Sequence, residues 1–74
     1  MRFRCHFVNR ETDERKEIVA HLAEAECKSV ESLRKHKGSE TADVYAEAYA
    51  LRHAYAEAPN GFLHVGPPEL IAVV

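Results

Sequence analysis

The chain has no tryptophan, a single methionine and only two cysteines, Cys5 and Cys27, in 74 residues. Two thiols allow one intramolecular bridge at most, which excludes the disulfide-dense scaffolds of small secreted domains. No stretch approaches the ~20 apolar residues of a membrane-spanning helix. Met1-Arg2-Phe3-Arg4 lacks the apolar centre of a secretory leader. The expectation is therefore a cytosolic protein with no membrane association. Its thiols should be reduced, one on a strand and one on a helix, both buried as small apolar groups. Glycine is scarce as well. Gly38, Gly61 and Gly66 each fall at a turn or a helix end, so none remains for a phosphate-cradling loop.

Excess charge is also missing. The net charge is −2, which gives no bulk electrostatic pull toward nucleic acid. The charge is uneven, however: residues 1–37 carry 9 basic against 7 acidic side chains, and residues 38–74 carry Arg52 alone against 5 acids. A chain this short makes one domain, residues 1–74. It buries only about 60% of its unfolded surface, so its core is thin.

What is present is clear patterning. Residues 2–8 alternate, with Phe3, Cys5 and Phe7 on one face and Arg2, Arg4 and His6 on the other, the period of a half-buried strand. Residues 16–22 alternate in the same way through Ile18, Ala20 and Leu22. Polar residues 9–14 join the two strands as a hairpin. A four-residue loop at 11–14 would set Phe7 opposite Ile18, Cys5 opposite Ala20 and Phe3 opposite Leu22. Arg4 would then lie opposite His21, and His6 opposite Val19.

Residues 23–37 read as a helix with a stripe of Ala23, Cys27, Val30 and Leu33. Its acids lie early and its bases late, as the helix dipole favours, and Gly38 stops it. No Ser, Thr, Asp or Asn occupies its start. A second helix over residues 41–58, capped by Ser39 or Thr41, ends at Pro59-Asn60-Gly61. Residues 62–65 form a short apolar run that suits a brief fourth strand. Residues 70–74, uncharged and β-branched, have the profile of a buried strand beside the first. The fold expected is α+β in the order ββααβ, a three- or four-stranded sheet with two helices on one face.

The second helix holds all three tyrosines. Stepping by about 100° per residue, Val44, Ala48, Leu51, Tyr55 and Ala58 gather on one flank. Tyr45, Tyr49, Arg52 and Ala56 lie beside them with His53 at the margin. Asp43, Glu47 and Glu57 fall opposite, among Ala46, Ala50 and Ala54. The non-acidic arc spans roughly 180°, wider than the ~100° that one buried face requires. One flank would meet the sheet. The flank of Tyr45, Tyr49, Arg52, His53 and Ala56 would meet either the first helix or another chain, because a tyrosine ring is apolar while its hydroxyl tolerates water.

Reactive chemistry is not assembled by this pattern. Five histidines invite a metal reading, yet no Cys-x-x-Cys, His-x-x-x-His or His-Glu-x-x-His spacing occurs. Cys5 and His21 leave opposite faces of the hairpin, and Cys27 falls on a stripe assigned to the core. No nucleophile, base and orienting group come together, so neither catalysis nor a cofactor or metal is expected. The function expected is a non-catalytic protein-interaction module that self-associates as a dimer through the second helix or a sheet edge. The alternative is a nucleic-acid binder using Arg2, Arg4, His6, Arg10, Arg15, Lys16 and His21, since a two-stranded ribbon fits a major groove. Glu11, Asp13, Glu14 and Glu17 dilute that basic face.

Overall fold

The computed structural model describes residues 1–73. Its elements are β1 (Arg2–Asn9), β2 (Arg15–His21), α1 (Glu24–His36), α2 (Ser39–Glu57) and β3 (Phe62–Ala72). This is the expected ββααβ order. The strands form one antiparallel sheet in the order β2-β1-β3, so the most regularly alternating strand is the central one. No helix among the described residues is long and apolar enough to cross a membrane.

The hairpin faces are as the alternation requires, but the register is shifted by two residues. Cys5 pairs with Ile18, Phe3 with Ala20 and His6 with Glu17. The loop begins one residue earlier than expected because Asn9 organises it. The Asn9 side-chain oxygen accepts the Glu11 N–H at 2.9 Å, and the Asp13 N–H reaches the Asn9 carbonyl at 2.7 Å. Asp13 takes a left-handed φ of 61°, a conformation that Asp tolerates better than most residues. A two-residue slide leaves every side chain on its own face. It nevertheless changes the neighbours: Arg4 faces Val19 rather than His21, and Glu17 moves up beside His6.

Residues 62–65 and 70–72 are not separate strands. They are the two ends of one 11-residue strand, interrupted by Gly66-Pro67-Pro68. The pairing jumps from His6↔Val65 to Arg4↔Glu69, so one residue of β1 faces three of β3. Such a bulge is tolerated because β3 is an edge and its prolines have no central ladder to break. The same edge position overturns the expectation of a strand buried on both faces. Leu70, Ile71 and Val73 remain 37–68% exposed, and Val74, the last residue of that run, lies outside the described residues.

α1 starts without a side-chain cap on Ala23, and Glu26 instead reaches back to accept the Ala23 N–H at 2.8 Å. Its end is closed by Gly38, whose N–H joins that of Lys37 on the Leu33 carbonyl. Gly38 has φ 100° and is also the N-cap of α2, so Ser39 and Thr41 lie within the helix rather than capping it. One glycine thereby serves both helix ends in a tight antiparallel turn.

The core joins Phe3, Cys5 and Phe7 of β1 to Ile18 and Ala20 of β2, Leu22, Val30 of α1, and a row of four alanines on α2. Those alanines, Ala42, Ala46, Ala50 and Ala54, are at most 2% exposed. The buried face of α2 is therefore the one that the sequence grouped with the acids, which corrects the expected orientation. Small side chains at every fourth position let the helix lie close to a sheet whose phenylalanines already supply the bulk. Cys27, expected in the core, is only partly buried. A leucine has no room on this face. Ala50→Leu should destabilise the fold by about 1–3 kcal/mol in urea unfolding, while Ala56→Leu, on an exposed face, should stay within about 0.5 kcal/mol.

Candidate functional site

The helices cover one face of the sheet and leave the other open. On the open face, Arg4 of β1 bonds Glu17 of β2 at 3.0 Å and lies 3.8 Å from Glu69 of β3. His6, two residues along, lies 3.3 Å from Glu69 and 3.9 Å from Glu17. The four side chains form a lattice across all three strands. All are 40–56% exposed, so each pair contributes little to stability. Together they hold β3 to β1 just beyond the proline bulge.

This lattice bears on the basic face expected for nucleic acid. Arg4 and His6, its centre, already face carboxylates that a phosphate would have to displace. Arg2 and His21 lie together at one end of the hairpin, where they pair. Arg15 lies near the turn, and Arg10 lies in it. Lys16 pairs with the inward-facing Phe7 and so belongs to the opposite face. By the same pairing Arg2, Arg4, His6, Arg15 and His21 share the open face, spread along the length of the hairpin.

α2 carries three distinct faces. The first, the alanine row, packs on the sheet. The second meets α1: the Tyr49 hydroxyl shares a 3.2 Å hydrogen bond with the Ser29 hydroxyl, and His53 Nε2 lies 2.7 Å from the Glu26 carboxylate. Of the expected interface residues, Tyr49 and His53 are thus engaged within the chain, whereas Tyr45, Arg52 and Ala56 stay exposed beside α1. The third face is that of Val44, Ala48, Leu51, Tyr55 and Ala58. Val44 is 61% and Tyr55 46% exposed, Ala48 is exposed, and Leu51 and Ala58 are half-buried. This flank had been a candidate for packing on the sheet; instead it looks outward on the β3 side. Tyr55 marks the boundary, with its ring edge-on to Phe7 at 5.0 Å and its hydroxyl accepting the His64 N–H of β3 at 3.0 Å.

Three titratable groups are shifted by their surroundings. Partial burial alone would raise the Glu26 carboxyl, but the His53 hydrogen bond, the Ala23 N–H and the His53 and Arg52 charges outweigh it, and its pKa falls below the ordinary value. Burial pushes the Cys5 thiol upward, away from nucleophilic thiolate. The Cys27 sulfur faces the amino terminus at 3.6 Å. His64 stacks edge-on against Phe7 at 5.4 Å, and its buried Nε2 has no hydrogen-bond partner. Burial, and then the neighbouring charge of His6, lower its pKa. Among the described residues no group of three or more His, Cys, Asp or Glu side chains is placed to hold a metal ion.

No protein-family model, curated protein or solved structure matches this chain. The surface that stands out is the third face of α2 together with the exposed side chains of β3. The sequence carried a signal for it: four alanines at i, i+4 spacing mark a close-packing face, and that placement leaves the larger apolar residues outside.

The two depressed pKa values act in separate pH windows. For both groups the unfolded chain binds its proton at higher pH than the folded one, so stability is full above the unfolded pKa and falls as the pH is lowered. The His64 share should be lost on descending below about pH 6.5, and the Glu26 share below about pH 4.3. Urea unfolding across pH 8 to 3 should show His64→Phe flattening the first part of the decline and Glu26→Gln the second.

Proposed function

We propose that the chain is a non-catalytic interaction module that works as a homodimer, associating through the outward face of α2 and the adjoining side of β3. The observation that carries this reading is the outward row of exposed Val44, Ala48 and Tyr55, with half-buried Leu51 among them, on the longest helix of a 74-residue chain. A protein this small has little apolar surface to spare, and its own core here uses alanine where a larger domain would place leucine. Leaving valine, leucine and tyrosine outside costs stability that a partner chain returns when it covers them. Leu70 of β3, which pairs with the inward-facing Phe3, extends the same apolar character beyond the helix. The unbridged thiols Cys5 and Cys27 fit a reducing compartment such as the cytosol.

Molar mass by light scattering over a wide concentration range tests this directly. A dimer should appear at both low and high salt, since an apolar interface is not screened. Val44→Glu, at an exposed position, should leave thermal unfolding of the monomer nearly unchanged while weakening the dimer at least about tenfold, the effect of about 1.4 kcal/mol. A monomer at every concentration would overturn the reading.

A further inference from the structure

The outward residues of α2 do more than gather on one side. Thr41, Val44, Ala48, Leu51, Tyr55 and Ala58 recur at intervals of three and four, the heptad spacing by which one helix packs against another. With Thr41, Ala48 and Tyr55 as a positions, Val44, Leu51 and Ala58 are d positions. The row is uncharged throughout: Val44, Ala48 and Tyr55 are exposed, Tyr55 with one ring edge on Phe7, while Thr41, Leu51 and the C-cap Ala58 are half-buried.

We propose that the occupant of this face is the same helix of a second copy, running antiparallel across a two-fold axis. The inference rests on the homodimer reading above and fixes its geometry. In an antiparallel pair each a position meets a d position of the other helix. The central register sets Ala48 against Leu51 of the second copy, Val44 against Tyr55, and Thr41 against Ala58. Every layer then joins a smaller side chain to a larger one, and the two-fold axis repeats each layer in reverse. The bulk of the layers therefore varies less along the contact than it would in a parallel pair. A parallel, in-register pair would stack Ala48 on Ala48 and Tyr55 on Tyr55, leaving a gap at one layer and a bulge two turns away. Side-chain volume therefore favours the antiparallel direction for a second copy.

The flanking residues agree with this arrangement. On the side away from the sheet, Tyr45 and Arg52 are both exposed. The antiparallel register brings Arg52 of one copy to the Tyr45 ring of the other, where a guanidinium on an aromatic face is favourable. On the opposite side, the position level with Glu47 in the second copy is Ala54, which is buried under its own sheet, so no carboxylate faces Glu47 there. The sheets lie on the same side of both helices, because a two-fold axis perpendicular to the pair keeps that side common. Their β3 strands, with exposed Leu70 on the helix side, become neighbours. The contact is isologous and closes at two copies.

Thiol cross-linking in a Cys27→Ala background tests the geometry, because Cys5 is fully buried. In the antiparallel pair the two Ala48 positions lie about 4–5 Å apart along the axis and the two Val44 positions about 16 Å. Ala48→Cys should be linked to itself by a short bis-maleimide in most of the protein, and Val44→Cys should not exceed background. Light scattering of the same reduced variants separates the possible failures. A dimer in which Val44→Cys links to itself means a parallel pair. A dimer in which neither variant links means a different surface. A parallel pair overturns the antiparallel geometry and leaves the homodimer reading standing; a different surface overturns the geometry and the face assigned to the dimer together. If the protein is monomeric with native Ala48 and Val44 as well, both readings fall together.

Discussion

The contact between the alanine row of α2 and the phenylalanine-bearing face of β1 is the constraint from which the remaining arrangement follows. Ala42, Ala46, Ala50 and Ala54 leave no side-chain bulk between the helix and the sheet, so Phe3 and Phe7 fill the space from below. The helix is thereby fixed in rotation. Once those four positions point inward, Tyr49 and His53 must point to one side, where Ser29 and Glu26 of α1 receive them. Val44, Leu51 and Tyr55 must point to the other, where among the described residues only the edge strand β3 adjoins them, through Tyr55 and His64. A core built from larger helix residues would have turned α2 the other way and buried the row that now faces out.

The sheet is held by a second, weaker layer of order. Asn9 sets the loop, the loop sets the register, and the register carries Glu17 to the position where it meets Arg4 and His6. Glu69 completes the set from the other side only because the Gly66-Pro67-Pro68 bulge takes up three residues against one. Each of these pairs is exposed and weak. Their value lies in position: they join three strands at the point where the β3 pairing has just been interrupted.

The strand alternation, the two helices, the stop at Gly38 and the place of the last strand beside the first were legible in the sequence, because each depends on a local pattern. The hairpin register was not, since a shift of two residues preserves the alternation and only the Asn9 side chain distinguishes the two. The rotation of α2 was misread for a related reason. A helical wheel that ranks faces by apolarity favours valine, leucine and tyrosine over alanine. Packing against a sheet that already contributes phenylalanines depends on the space available, and alanine fits it. The basic hairpin face was visible as a set of residues, but the carboxylate of Glu69, 63 positions from His6, became its neighbour only through the fold.

The way β3 is protected narrows how this protein can associate. An edge strand invites another strand to pair with its free N–H and C=O groups, and that route is obstructed along much of β3. Pro67 and Pro68 have no N–H to offer, the bulge breaks the even spacing that a ladder needs, and the Tyr55 hydroxyl already holds the His64 N–H. The apolar side chains of the same region are left exposed. A backbone obstructed in this way beside side chains left open favours packing of faces over addition of strands. The face that meets that description, ordered and evenly spaced, is the outward row of α2, and Tyr55 belongs to both features. Its ring lies within that row while its hydroxyl occupies the N–H of the edge. The residue that obstructs one mode of association therefore forms part of the surface for the other.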